Sequence, residues 1–350
     1  MNGDSGDTAT AGQSAGPLPH GGDLDTARRT WPQAPLPWID LSTGINPWPW
    51  PVGPLEPESW TRLPGAAALD ALRHAAARRY GVPDAGRVAA APGTQALIQL
   101  LPRLCPPSRV AVQSPTYNEH AHCWAAAGHE VTAVPGIDAL PDGTDVCVVV
   151  NPNNPDGRQH PPSRLLELAA ALARRGGWLV VDEAFADTCP DASVAPAAGV
   201  PGLVVLRSFG KFYGLAGLRL GFVLADTALL AAVEAALGPW SVSGPALEIG
   251  RRALEDDAWT AATRLRLEAA AASLDADLLA AAGLEIVGGT PLFRLARTPA
   301  AATLCGALAA AGLWVRRFPD RPDLLRFGLP PDDAARDRLR QVVRGTVWRT

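Results

Sequence analysis

VVLRSFGKFYGLAGLRLGF, residues 204–222, carries one apolar run into a turn of small residues and out into a second apolar run. Ser208, Lys211 and Arg219 stand in and beside the turn, with Gly210, Gly214 and Gly217 set among them. A lysine amine condenses with aldehydes, and a hydroxyl with a guanidinium holds a phosphate. Glycines let the backbone approach a bound group closely. The stretch therefore reads as a strand, a turn and a second strand, with the turn built to anchor a small molecule that carries both groups.

Working outward, similar short apolar runs occur at RVAAA (87–91), RVAVQ (109–113), DVCVVV (145–150), WLVVD (178–182), LVVLRS (203–208) and LGFVLA (220–225). Alanine-rich segments with helical spacing fall around 66–79, 163–175, 225–237, 261–281 and 299–311. Continuous apolar strands alternating with helices predict an α/β fold with a mostly parallel sheet covered on both faces. In such sheets ligands gather beyond the carboxyl ends of the strands. The polar signatures of this chain fall at those ends.

After the first run comes APGTQALIQLL (91–101), a glycine turn opening a helix, where Gly93, Thr94 and Gln95 would present free N–H groups to a phosphate. After the second comes SPTYNEH (114–120), which places Tyr117 where its ring could stack on a flat ligand. After the third comes NPNNPDG (151–157), tight-turn chemistry that contains Asn154. After the fourth comes DEAFAD (182–187), in which Asp182 ends an apolar strand and needs a buried partner. Further on, DLLRFGLP (323–330) sets Arg326 on a short apolar strand, where a guanidinium can grip a carboxylate with two parallel hydrogen bonds.

The remaining composition narrows the class. At 350 residues and 47% hydrophobic content the chain can bury a large core and form two domains. A net charge of −4 supplies no basic stripe, which argues against a nucleic-acid partner. No apolar run is long enough to span a membrane and no signal-peptide pattern opens the chain, so a cytoplasmic protein is expected. Five cysteines without a CxxC pair suggest reduced packing residues, with no metal site and no disulfide framework. Residues 1–19 read as a disordered tail. Residues 20–64, crowded with Pro and Trp in WPQAPLPWIDLSTGINPWPWPVGPLEP (31–57), read as an extended arm rather than helices or interior strands. Residues 65–240 are then a large ligand-binding domain and 241–350 a small C-terminal α+β domain.

Taken in order, these motifs resemble those of fold-type I pyridoxal-phosphate (PLP) enzymes, the aspartate aminotransferase superfamily. The resemblance runs from about His20 to the C-terminus. It implies that Lys211 anchors PLP, that Asp182 pairs with the pyridine nitrogen, that Asn154 donates to the phenolic oxygen, and that Arg326 holds an anionic substrate group. Two departures stand out: Phe185 replaces a tyrosine common in relatives, and Asp156 replaces the usual threonine. NPNNPDG and SFGKFYGLAGLRLG look like histidinol-phosphate aminotransferases. HGGDLDTARR (20–29), with its His-Gly-Gly opening, and Ser42 to Pro47 look like the cobalamin-biosynthesis threonine-phosphate decarboxylases, as does LRFGLP. The second likeness implies decarboxylation of L-threonine O-3-phosphate to (R)-1-aminopropan-2-yl phosphate, with transamination as the alternative and a non-catalytic protein of the same fold as a third reading. His20, Asn46, Arg316 and Arg317 are the candidates for substrate binding. The resemblance also implies a homodimer, although Leu63-Pro64 stands where many relatives place a Tyr-Pro pair that reaches the partner's cofactor.

Overall fold

A computed structural model describes residues 20–281 and 283–345; the tail expected at 1–19 lies outside the described residues. The strands are β1 (Ile39–Leu41), β2 (Val88–Ala91), β3 (Arg109–Gln113), β4 (Glu130–Val134), β5 (Val146–Val150), β6 (Trp178–Asp182), β7 (Leu203–Ser208), β8 (Gly221–Leu224), β9 (Glu285–Thr290), β10 (Phe293–Arg297), β11 (Leu313–Arg317) and β12 (Leu324–Gly328). The helices are α1 (Leu24–Thr30), α2 (Glu58–Thr61), α3 (Ala66–Tyr80), α4 (Thr94–Leu104), α5 (Glu119–Ala126), α6 (Pro162–Ala173), α7 (Phe209–Phe212), α8 (Thr227–Leu237), α9 (Gly244–Leu254), α10 (Asp257–Leu279), α11 (Ala301–Ala310) and α12 (Asp333–Arg344).

Seven strands form one sheet in the order β2-β8-β7-β6-β5-β3-β4. All neighbours are parallel except β8, which runs antiparallel to both β2 and β7. Every residue of β2, β5, β6, β7 and β8 is buried or, for Trp178, half-buried, as expected where helices cover both faces. The six expected runs are all present as strands. The sequence reading passed over β4, whose EVTAV exposes most of its side chains because it is the sheet edge.

A second sheet has the order β1-β11-β12-β10-β9. Its edge strand β1 comes from the N-terminal arm and pairs in parallel with β11, Ile39 opposite Leu313. The arm thus differs from the extended segment expected. LDTARRT precedes the proline cluster and is free to coil into α1, with the Asp23 carboxylate accepting from Thr26 N at 3.0 Å as its cap. Two further differences concern the chain after Leu237. Helix α9 packs on α3 of the larger sheet, and the switch to the smaller sheet comes only with α10 and β9.

Candidate active site

The carboxyl ends of β2, β3, β5, β6 and β7 face a cavity of about 260 Å³, closed from the other side by β11, β12 and the arm. Of the residues expected at the site, His20, Gly93, Thr94, Gln95, Tyr117, Asn154, Asp182, Ser208, Lys211, Arg219, Arg316 and Arg326 all line it. The sequence places them on eight separate segments, and the fold brings them together.

Lys211 sits on α7, a single turn directly after β7. It is the only lysine among the chain's 31 basic residues, a signal the motif reading passed over. Burial is the first cause that brings its pKa down to about 8, and the positive charges of Arg326 and Arg219 act in the same direction against Asp182 and Asp40. Near neutral pH a useful fraction of this amine is therefore unprotonated and nucleophilic.

Asp182 ends β6 at 3% exposure. One of its oxygens accepts from Ala184 N at 3.0 Å, and the other lies 2.9 Å from His120 Nε2. His120 is itself buried, on α5, in the stretch quoted for Tyr117. The carboxylate therefore has a protein partner that the sequence reading did not assign, and the signal was a histidine three residues after a site tyrosine. The Tyr117 hydroxyl donates to Gln95 Oε1 at 3.2 Å, and burial raises its pKa to about 12. Glu119 accepts from Gln95 Nε2 at 2.7 Å and pairs with His20 Nε2 at 2.9 Å. His20 is thus held over the cavity next to Tyr117, their rings 6.0 Å apart.

The first turn of α4, which carries Gln95, also offers donors to an anion. Gly93 caps α4 with φ +85°, and a Cβ placed there would lie 2.8 Å from Arg219 Nη2. Arg219 itself adopts φ 54°, an unusual conformation for a residue with a side chain, which brings its guanidinium over the first turn of α4. Gly221 is required by the same approach, since a Cβ there would meet Thr94 N at 2.6 Å. Free N–H groups, the positive helix end, Ser208 and a guanidinium together make a phosphate cradle.

Arg326, 6% exposed, donates through Nη1 to Asn154 Oδ1 and through Nη2 to the Ser42 carbonyl at 2.7 Å. Its Nε has no protein acceptor. Burial and the nearby Arg316 lower its pKa to about 9. Arg316 and Arg326 stand opposite each other in the β11–β12 ladder. Alternation along β11 decides between the two arginine candidates: Arg316 faces the cavity, and Arg317, one residue on, is exposed outside it.

Asn46 is a correction. Expected among the substrate contacts, it does not line the cavity; its side-chain Nδ2 donates to Phe212 O at 2.9 Å from the far side of the turn. Gly214, expected to admit a ligand, instead admits the arm, since a Cβ there would lie 2.7 Å from Pro49 Cα. Phe185 packs edge-on against Phe293 with centroids 5.1 Å apart. Beneath the site, buried Arg207 bridges Glu183 at 2.8 Å and Asp187 at 2.6 Å and lies 4.2 Å over the Tyr80 ring. This ion cluster ties the residue after Asp182 to the residue before Ser208.

Comparison with known proteins adds four findings. A family model described as aminotransferase class I and II matches residues 54–343. A threonine-phosphate decarboxylase of Pseudomonas aeruginosa is 46% identical over 330 residues, covering 94% of this chain and 98% of the relative. Among solved structures, L-threonine-O-3-phosphate decarboxylase from Porphyromonas gingivalis superposes with TM-score 0.73 at 22% identity, over 86% of this chain and 97% of that one. Histidinol-phosphate aminotransferase from Sinorhizobium meliloti in complex with pyridoxal-5'-phosphate superposes with TM-score 0.76 at 19% identity, over 93% and 94%. At such identities the two structures speak to the fold alone.

Proposed function

The chain belongs to the aminotransferase class I and II family, and we propose that it is a PLP-dependent lyase that decarboxylates L-threonine O-3-phosphate to (R)-1-aminopropan-2-yl phosphate. The observation that carries the reading is one cavity holding a single lysine, a buried carboxylate, a phosphate cradle and, apart from that cradle, three further arginines, Arg316, Arg321 and Arg326. The 46% identity to a threonine-phosphate decarboxylase over nearly both full lengths supports decarboxylation over transamination.

The residues fit the cofactor. The first turn of α4 presents N–H donors, and the missing Cβ of Gly93 leaves room for the Arg219 guanidinium beside them, which together suit a phosphate. Asp182 lines the cavity with His120 at 2.9 Å, where it can pair with a ring nitrogen. Tyr117 supplies an aromatic face and Asn154 a side-chain amide on the cavity wall. Bound PLP supplies an electron sink for a bond broken at the substrate Cα.

The chain's own groups do the rest. Arg326, on the cavity wall and already fixed by Asn154 and the Ser42 carbonyl, receives one anionic group of the substrate. Arg316, beside Arg326 in the β11–β12 ladder, and His20 line the same cavity and take the second, the phosphate. When the bond from Cα to the carboxylate breaks, carbon dioxide leaves and its electron pair stays with Cα, where a proton replaces it. Lys211, with its pKa near 8, is able to carry that proton at neutral pH. A homodimer belongs to the same reading. Its support is apolar exposure on α2, just after it and on the chain before α9, where Trp60 is 69%, Leu63 68% and Trp240 59% accessible.

The test is to incubate PLP-loaded protein with L-threonine O-3-phosphate in the absence of any keto acid and follow carbon dioxide with aminopropanol phosphate. Multiple turnovers are expected. No release, together with amino transfer from histidinol phosphate to 2-oxoglutarate, would overturn the assignment.

A further inference from the structure

Helix α7 is one turn long, so its last carbonyls have few partners within it. The arm supplies them. Asn46 N donates to Lys211 O and Trp50 N to Tyr213 O, each at 2.9 Å, and Asn46 Nδ2 donates to Phe212 O at 2.9 Å. Three consecutive carbonyls, starting at the lysine, are thereby taken by residues 46–50. The Asn46 amide is engaged at both its atoms, because its Oδ1 accepts from Trp48 N at 2.9 Å. At 1% exposure none of these bonds is shared with bulk water. Gly214 completes the fit: at φ +68° it lets the arm come so close that a Cβ would sit 2.8 Å from Asn46 O.

The arm is held in turn by anchors outside the turn. Trp48 Nε1 donates to Pro331 O at 2.7 Å, Trp50 Nε1 to Asp256 Oδ2 at 3.1 Å, and Arg266 stacks 3.8 Å over the Trp48 ring. Nearer the cavity the same strap offers the Ser42 carbonyl to Arg326. Gly44 lies so close to Phe185 and Phe293 that a Cβ would be 2.9 Å from each ring.

We infer that Asn46 is a positioning residue for Lys211: it clamps the backbone of the lysine turn from behind and so fixes where the amine stands relative to Arg326 and Asp182. It touches neither substrate nor cofactor and acts only through the carbonyls it holds. The arm therefore sets Lys211 and Arg326 in one frame, since Ser42 and Asn46 are four residues apart on it.

The test uses Asn46→Ala and, should that variant not fold, the gentler Asn46→Ser, whose hydroxyl is too short to reach Phe212 O. Because Lys211 is the only lysine, acylation of the apo-protein at a series of pH values, read on the single lysine-containing peptide, reports its amine directly. A loosened turn admits water to an amine now surrounded by Arg326, Arg219, Asp182 and Asp40, so the midpoint is expected to rise from about 8 toward the ordinary 10.5. With PLP and substrate, kcat is expected to fall at least about tenfold while KM stays within about threefold, the pattern of a lost transition-state alignment. An unchanged midpoint, or a raised KM with kcat intact, would overturn the inference and return Asn46 to the substrate contacts. The kinetic arm rests on the decarboxylase reading, but the acylation arm uses no substrate. If the wild-type protein releases no carbon dioxide, that reading falls and the acylation midpoint still decides the role of Asn46.

Discussion

Replacing Gly93 by alanine isolates the cofactor cradle. The position has φ +85° and ψ 156°, a region nearly restricted to glycine, where a residue with a Cβ loses about 1–3 kcal/mol. That loss falls on the folded protein with or without ligand, and for a chain of this size corresponds to roughly 1–4 °C in Tm. The second effect appears only with cofactor. The new Cβ lies 2.8 Å from Arg219 Nη2 and 3.2 Å from its Cζ, so the guanidinium must leave the helix end. A hydrogen bond to a charged group contributes about 1.5–3 kcal/mol, which converts to about a 10- to 150-fold weaker Kd for PLP. The assay is titration of the apo-protein with PLP, followed by absorbance, in the wild type, Gly93→Ala, Arg219→Ala and the double variant. Since both changes remove the same contact, the double variant should bind little worse than Arg219→Ala alone. Additive losses, or a Kd for Gly93→Ala within threefold of wild type, would refute the cradle.

Three other outcomes are expected. The rate at which apo-protein condenses with PLP should rise about tenfold per pH unit below 8 and level off above it, because only the neutral amine reacts and its pKa is lowered to about 8; a rate still climbing tenfold between pH 9 and 10 would show an unperturbed lysine. Arg207→Met strands Glu183 and Asp187 without their buried partner, and a loss of about 3–5 kcal/mol in denaturant unfolding is expected; a loss under 1 kcal/mol would mean the cluster does not hold the strand ends. Arg326→Lys keeps the charge but cannot span Asn154, the Ser42 carbonyl and a substrate anion together, so KM should rise about 10- to 100-fold, with the PLP affinity of the apo-protein unchanged.

Much of the site was legible in the chain because α/β folds put ligand groups where strands end, and strand ends can be read from apolar runs. Lys211, Asp182 and Asn154 each follow such a run directly, and their placement on one cavity required no knowledge of packing. The glycine turn at 91–95 was legible for the same reason. Strand β4 was not, because at a sheet edge its polar side chains erase the continuous pattern that marks a buried strand.

What the sequence by itself determined, then, is the parallel sheet, the order of polar signatures along it and the chemistry of the lysine turn, since all three rest on periodicity and residue type within short windows. Tertiary structure alone decided the partners that lie far apart in the chain. His120 meets Asp182 across 62 positions, Arg326 meets Ser42 across 284, and Asn46 meets the lysine turn across 166. A strong local signal also misled. Asn46 lies in a motif read as substrate-binding, yet its amide points to the back of α7, because the carbonyls ending that one-turn helix need donors and the arm passes there. Pairings of this kind depend on which surfaces the folded sheet brings together, and no local pattern of residues encodes them.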